Sequence, residues 1–581
     1  MGIARPLARL ATPGALVVLV ILTLAVYSAG CARPAPPVPA SARVTISLVG
    51  TNDLHGHVET LPALGGYLAN LRRARVRDGG AVLLVDAGDM FQGTLASNLG
   101  EGAAVVRAYN VLGYTAAALG NHEFDFGPVG PAVTARDGGD PRGALRARAA
   151  EAAFPFLDAN LIDTATHAPP AWKNVVPDLL VDAAGIKIGI VGVATTSTLR
   201  TTLAANFADL AMGPLAPAIA KAAVDLHQRG ASVVVVAAHA GGSCRRFDVP
   251  EHLESCEIDS EIFQVARALP SGGAGGVDAI VAGHTHEGIA HRVSGIPIVE
   301  AFANGHDFSR VDLTVDRTTG RAVEARIFPP RRICAGDRCA GETYEGAPVV
   351  PDAAVAAAIA PALAAAEKLR GQKLGPTLAA PLPRALKTES PLGNLVADMM
   401  RTARPRADVA LTNGGGVRTD LPVGPLTYGR LFEALPFDNR FATVHVTGAD
   451  LAEMIARNLG RENGILSVSG VRADARCLNG TLAVMLSRPD GRPIAPAARL
   501  TLVTSDFLAT GGDGLLSENL QHRAVLDDGP PIREALANLL RAGKVQFRAD
   551  DRALYDPAHP RLAYPDLRPV RCSSHRPISP L

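Results

Sequence analysis

A series of short apolar runs, each followed at once by a polar loop, sets the architecture this sequence can adopt. The runs are VTISLV (44–49), AVLLVD (81–86), AAAL (116–119), IKIGIVGVA (186–194), SVVVVAA (232–238) and DAIVA (278–282). Runs of this length and β-branched content predict strands buried on both faces. Helical stretches such as YLANLRRAR lie between them, so the pattern predicts α/β layering. The late runs PIVEA, VDLTV and AVEARIF, within 297–327, have no helix between them and predict antiparallel strands.

At 581 residues, 48% hydrophobic and 19% charged, the chain exceeds what a single core supports, and at least two domains are expected. The first is expected over 43–346. The alanine-rich stretch 347–371 predicts a connecting helix, because alanine is the best helix former. A second domain is expected over 372–556, with strands at 408–413, 441–446 and 499–505 and a helix starting near Gly448. The proline-rich tail, 557–581, is expected to be weakly structured except where Cys572 ties it down. Lys plus Arg total 57 against 56 acidic residues, so the charge balance gives no reason to expect a nucleic-acid polymer as partner.

Residues 1–42 place Arg5 and Arg9 before the apolar run GALVVLVILTLAVYSAG, then Cys31 and a proline-rich linker. That order reads as an export signal, and SAGC resembles a bacterial lipoprotein cleavage box in which Cys31 carries lipid. An uncleaved anchor and a plain secretory signal are the alternatives, and all three put the body of the chain outside the cytoplasm. Membrane contact is expected only through that segment. Setting Cys31 aside leaves six of the seven cysteines, an even number that suits disulfides in an exported chain. Sequence proximity favours Cys244 with Cys256 and Cys334 with Cys339, leaving Cys477 and Cys572. A zinc site from Cys244, His252 and Cys256 is the sharper alternative, but it lacks a fourth close ligand.

The chemistry lies where the runs end. VTISLV leads to Asp53 and His55, AVLLVD to Asp89, AAAL to Asn121 and His122, SVVVVAA to His239, and DAIVA to His284 and His286. Carboxyl ends of strands in α/β sheets face one crevice, so these side chains can converge. Within the D-x-H and H-x-H pairs, an extended backbone would point both members to the same side. Alone, a loop histidine is more often a surface or hydrogen-bonded residue, and an Asp after Gly more often a turn. Seven oxygen and imidazole donors at successive run ends are what that plain reading explains poorly. Asp53, His55, Asp89, Asn121, His239, His284 and His286 make two four-ligand sites if one carboxylate bridges, and Asp89 is the natural bridge. His57, Asp86, His291 and His306 belong to no paired pattern and are read as structural.

The blocks TNDLHGH, AGDMFQG, GNHEFDFG, AAHAGG and AGHTH resemble, in order, those of the calcineurin-like dinuclear metallophosphatases, specifically the 5′-nucleotidase family. NGGGVR, LPF and DFLATGGDG resemble the C-terminal nucleotide-binding domain of that family. The resemblance implies a four-layer α/β/β/α sandwich, α+β overall, joined by a helix to a second mixed α/β domain. It implies two divalent metal ions, zinc, manganese or similar. One would be held by Asp53, His55, Asp89 and His286, the other by Asp89, Asn121, His239 and His284. It makes His122 a catalytic residue facing the phosphate, oriented by Asp125, and leaves Glu123 as support for the loop.

In the second domain the resemblance assigns Asn413, Gly415, Arg418, Phe437, Phe507 and Asp513 to substrate, with the two phenylalanines enclosing a base. Consecutive glycines let backbone approach a ligand closely, and Arg418 can grip phosphate with two prongs. The family arginine before the TESPLGN block is replaced by Leu386, with Arg384 and Lys387 as the nearby cations. The expected function is hydrolysis of 5′-nucleotides to nucleoside and phosphate. UDP-sugar hydrolysis, 2′,3′-cyclic-nucleotide phosphodiesterase with 3′-nucleotidase activity, and non-catalytic nucleotide binding at the cell surface are the alternatives.

Overall fold

Burial on both faces of the runs decides how the N-terminal half folds. The computed structural model describes Gly2 and residues 42–130, 135, 139–273, 275–527, 529–565 and 567–572. The export segment with Cys31, and the end of the tail, lie outside the described residues. Along Arg43–Thr51, Val44, Ile46 and Leu48 enter one apolar cluster while Val49 enters another. Along Val233–His239, Val233 and Val235 join the first of these clusters, and Val234 and Val236 a third. Period-two alternation thus divides each strand between a shared seam and an outer, helix-covered face.

The seam joins two sheets. One has seven strands in the order Arg321–Arg332, Asp307–Asp316, Arg43–Thr51, Ala81–Asp86, Ala116–Ala118, Phe156–Leu157 and Val175–Val176. The other has six, in the order Gly288–Val293, Ile296–Ala301, Ala279–Ala282, Val233–His239, Ile186–Ala194 and Asp178–Ala183. Helices Leu61–Asp78 and Ala103–Leu112 cover the first sheet, and Leu215–Gln228 and Glu261–Ala268 cover the second. This is the expected four-layer α/β/β/α arrangement. The late strands divide between the sheets: Asp307–Asp316 and Arg321–Arg332 are antiparallel members of the first. Ile296–Ala301 is an antiparallel neighbour of Gly288–Val293, as expected, and pairs parallel with Ala279–Ala282 on its other side. Its register is set by the hairpin with Gly288–Val293, which reverses the chain once more.

The alanine-rich stretch forms the helix Ala353–Arg370, its start capped by the Asp352 side chain, which accepts from the N–H groups of Ala354 and Val355. Val355 and Ile359 share one apolar cluster with Leu64 and Tyr67 of the N-terminal half and with Leu395 and Leu536 of the C-terminal half. The helix is therefore packed from both sides. Beyond it a five-stranded sheet runs in the order Leu466–Ser469, Val409–Asn413, Arg499–Ser505, Phe441–Thr447 and Val525–Leu526. The helix expected near Gly448 spans Gly448–Leu459, closed at its start by a capping box between Thr447 and Asp450.

Cysteines pair as 244 with 256, 334 with 339 and 477 with 572. The disulfide consumes both sulfurs of the zinc alternative. The described part of the tail is more ordered than its composition predicts, because its anchors are long-range. Leu562–Ala563 extends a sheet beside Arg472–Leu478, and Arg561 grips Asp398 with two hydrogen bonds of 2.8 Å. Ile190 is fully buried in the seam. Ile190→Ala should cost about 2–5 kcal/mol, read as a lower urea midpoint for the N-terminal half.

Candidate active site

The parallel strands of both sheets end at one edge, and the loops leaving that edge interlock through backbone hydrogen bonds. Asp53 N–H donates to Gly88 O at 2.9 Å and His55 N–H to Asp89 O at 3.0 Å. Asp53, His55 and Asp89 have φ of 49°, 47° and 57°, and His284 and His286 have 81° and 60°. The D-x-H and H-x-H pairs are therefore left-handed turns, not the extended segments expected from their spacing. Asp and His tolerate this region better than most residues, at roughly 1–3 kcal/mol each, and such strain collects at functional sites. Close approach needs glycine as well. A Cβ on Gly120 would lie 2.2 Å from Asp89 Oδ1.

All seven expected donors converge. Their crevice is formed by two sheets, with Asp53, His55, Asp89 and Asn121 from the first and His239, His284 and His286 from the second. His55 Nε2 and His286 Nε2 are 2.9 Å apart, and His286 Nε2 is 3.3 Å from Asp53 Oδ1. His239 Nε2 lies 3.0 Å from Asn121 Oδ1, 3.2 Å from Asp89 Oδ2 and 3.2 Å from His284 Nδ1. Two clusters result: Asp53, His55, Asp89 and His286, and Asp89, His239 and His284, the latter joined by Asn121. Asp89 belongs to both.

The donor set fits divalent cations. Asp53 Oδ1 is buried and accepts no hydrogen bond, a cost that a cation beside it would remove. Burial works against every charge here, but opposite neighbours outweigh it at Asp53, Asp89 and His239. His286 and His239 hold the Asp53 carboxyl down to about 2, and Asp89 holds His239 up to about 10. His284 shows the other outcome, since burial and the charge on His239 push it down to about 3. Second-sphere bonds fix the rings: His55 Nδ1 lies 2.8 Å from Gln92 O, and His239 Nδ1 2.9 Å from Ala87 O.

His122 sits beside the clusters, its N–H donating to Asp89 Oδ1 at 2.8 Å. Its Nδ1 is 2.6 Å from Asp125 Oδ2, while Thr202 donates to the other Asp125 oxygen at 3.0 Å. Burial opposes a charged ring, yet Asp125 and Asp89 raise the His122 pKa. One cavity of about 280 Å³ is lined by His122, Asp125, Asp89, Asn121, His284 and His286 from the N-terminal half. Asn413, Gly415, Arg418, Phe437, Phe507 and Asp513 line the same cavity from the C-terminal half. The Phe437 ring is 5.4 Å from that of His122, and the Arg418 guanidinium 5.8 Å from Phe437. Among the described residues no carboxylate is in ion-pair contact with Arg418. Leu386 also lines the cavity, whereas Arg384 is turned to Val417 O at 3.3 Å.

Glu123 holds more of the site than the sequence reading allowed. Its buried carboxylate accepts from the N–H groups of Asp89 (2.9 Å), Met90 (2.7 Å), Phe91 (3.3 Å) and Gly120 (2.7 Å). It thereby ties the Asp89 loop to the loop of Asn121 and His122. Glu300, fully buried, does the same across the second sheet, accepting from Thr285 Oγ1 at 2.6 Å and Gly242 N–H at 3.2 Å. Sequence spacing could not find Glu300, which lies inside a strand. Glu123 is legible in GNHEFDFG as support for its own loop, as the bond from Gly120 bears out, and its reach to the Asp89 loop is not. Glu123→Gln turns an amide N–H toward some of these donors, and should weaken metal affinity about 10–100-fold, measured by chelator competition.

Comparison with known proteins agrees with this geometry. The sequence model of the calcineurin-like phosphoesterases matches residues 46–288, and that of the 5′-nucleotidase C-terminal domain matches 373–518. The Bacillus subtilis protein named endonuclease YhcR is 28% identical over 82% of this chain, which spans only 38% of that protein's length. Protein UshA of Escherichia coli is 25% identical over 81% of this chain and 86% of its own. A crystal structure described as a 5′-nucleotidase precursor from Thermus thermophilus superposes with a TM-score of 0.67 at 25% identity, covering 87% of this chain and 97% of that one. With its metallophosphatase blocks in order and the C-terminal segment facing them across one cavity, the chain belongs to the 5′-nucleotidase family of calcineurin-like phosphoesterases.

Proposed function

We propose that this chain is an exported, two-metal phosphoesterase that hydrolyses nucleotides, most readily 5′-nucleotides to nucleoside and phosphate. The observation that carries the reading is the single cavity lined by metal-type ligands on one side and by Arg418, Phe437 and Phe507 on the other. In this reading residues 43–346 are the metal domain, the helix within 347–371 connects, and 372–556 are the substrate domain. Asp53, His55, Asp89 and His286 would hold one divalent cation, and Asp89, Asn121, His239 and His284 the other. Zinc or manganese suits these donors, and the pair would supply Lewis acidity and a water acidic enough to attack phosphorus.

The chain's own residues do the rest. Arg418 meets the phosphoryl oxygens, and its half-buried setting strengthens that contact. His122 faces the leaving oxygen, with Asp125 fixing the Nδ1 side of the ring so that the other nitrogen carries a proton outward. Phe437 and Phe507 take the base, an arrangement tolerant of base identity, and Asn413 and Asp513 meet base or ribose. An adjoining cavity of about 380 Å³ shares Asp125, Leu203, Phe437 and Asn439 with the first. That extra room supports a second reading, in which a nucleotide sugar is cleaved. Export is supported by three disulfides and by a relative from Listeria monocytogenes named a cell wall protein. No helix among the described residues is long and apolar enough to cross a membrane.

Phosphate release should be measured from AMP, UDP-glucose, 2′,3′-cyclic AMP and 3′-AMP with added manganese or zinc. AMP should be the best substrate, and no release from any of them overturns the reading. His122→Ala should lower turnover about 100-fold or more with bound metal unchanged by elemental analysis. Metal loss in that variant would reassign His122 to the ligand set.

A further inference from the structure

The described tail residues reach the substrate cavity through a chain of contacts that begins at a disulfide. Cys572 is bonded to Cys477, and Val570 N–H donates to Leu459 O at 2.9 Å. Between them and the strand Leu562–Ala563 lies Arg568. Its Nη2 donates to the carbonyls of Asn458 at 2.6 Å, Asn463 at 2.9 Å and Arg461 at 3.2 Å. These carbonyls surround the C-terminal end of the helix Gly448–Leu459, where a cation also meets the negative end of the helix dipole. One guanidinium thus sets the path of the loop 461–463.

That loop grips the cavity wall. Arg461 Nη1 donates to the carbonyls of Asp513 and Gly514, both at 3.1 Å, and Asn463 Nδ2 donates to Asp513 O at 3.0 Å. Asp513 is held at a left-handed φ of 55°, and its side chain accepts from Asn413 at 2.6 Å. Its neighbour Gly512 lies flush against the Phe507 ring, where an added Cβ would come within 2.6 Å of three ring atoms. The turn that carries Asp513 and supports Phe507 is therefore positioned from outside, by a residue beyond the segment matched to the family's C-terminal domain.

We propose that the C-terminal tail is a disulfide-locked brace for the nucleoside end of the cavity, with Arg568 as a positioning residue acting on Asp513 and Phe507 through the loop 461–463. The inference rests on the nucleotide reading above. The brace touches none of the metal ligands, so its loss affects recognition of the nucleoside and spares the phosphoryl chemistry.

The test compares AMP with glycerol 2-phosphate, which presents a phosphate and no base, on the full-length chain. Arg568→Ala should raise KM for AMP about 10-fold, the scale of one charge-assisted hydrogen-bond set, and leave glycerol 2-phosphate hydrolysis unchanged. Arg568→Lys, which keeps the charge but not the fork, should fall between. An unchanged KM for AMP, or equal loss on both substrates, overturns the proposal. Should Arg568→Ala fail to fold, shown by loss of a cooperative thermal unfolding transition, Cys572→Ser must give the same split between substrates, and a normal KM for AMP in it overturns the brace. If the wild-type chain turns over glycerol 2-phosphate but no nucleotide, the functional reading fails by itself. Adenosine binding by calorimetry then decides the brace: weaker binding in Arg568→Ala supports it, and equal or absent binding overturns it.

Discussion

The apolar seam between the two sheets is the constraint from which the site follows. Val44, Ile46, Leu48, Ile188, Ile190, Val233 and Val281 are all buried in one apolar cluster, and close packing of this kind resists sliding of the two layers. Parallel strands from both layers then end along one edge, and the polar residues after them have only that edge to occupy. Nothing local brings His239 to Asp89. Their 3.2 Å separation exists because the strand Val233–His239 and the strand Ala81–Asp86 belong to two sheets that share one apolar seam.

Holding that many charges at a buried edge demands a second layer of support. Asp86 shows the cost: burial pushes its carboxyl up to about 7 despite bonds from Thr51 and Tyr109. It spends one oxygen on Gly88 N–H, directly before Asp89. Glu123 and Glu300 each hold the backbone of one ligand loop or more. These carboxylates lie outside both donor clusters, yet they fix the loops that carry the clustered side chains. Loops held in this way present their donors without further reorganisation.

The two halves meet across the cavity and along the helix Ala353–Arg370. The cluster that includes Val355 and Ile359 runs unbroken from Leu64 to Leu536, so the cavity walls are set against each other by apolar packing. A polar contact at the rim adds to it, the bond from Asn98 Nδ2 to Pro436 O at 3.1 Å beside Phe437. The C-terminal half therefore supplies the wall with Arg418, Phe437 and Phe507, and the N-terminal half the wall with the metal-type donors.

Much of this was legible along the chain, because strand burial and ligand type are local properties. Short β-branched runs announced the strands, and the residues after them announced the donors, from Asp53 to His286. The connecting helix was legible in its alanines. Other features depended on contacts between distant residues. The left-handed turns at Asp53, His55, His284 and His286 arise from loops interlocked across the strand ends, and spacing alone implied extended pairs. The parallel neighbour of Ile296–Ala301, the reach of Glu123 to the Asp89 loop, the role of Glu300, and the anchoring of the tail through Arg561 and Arg568 were likewise invisible. Sequence by itself determined which side chains could bind cations and phosphate, since that is a matter of donor chemistry. Tertiary structure alone decided which of them meet, because distance and burial are set by how the sheets and halves pack.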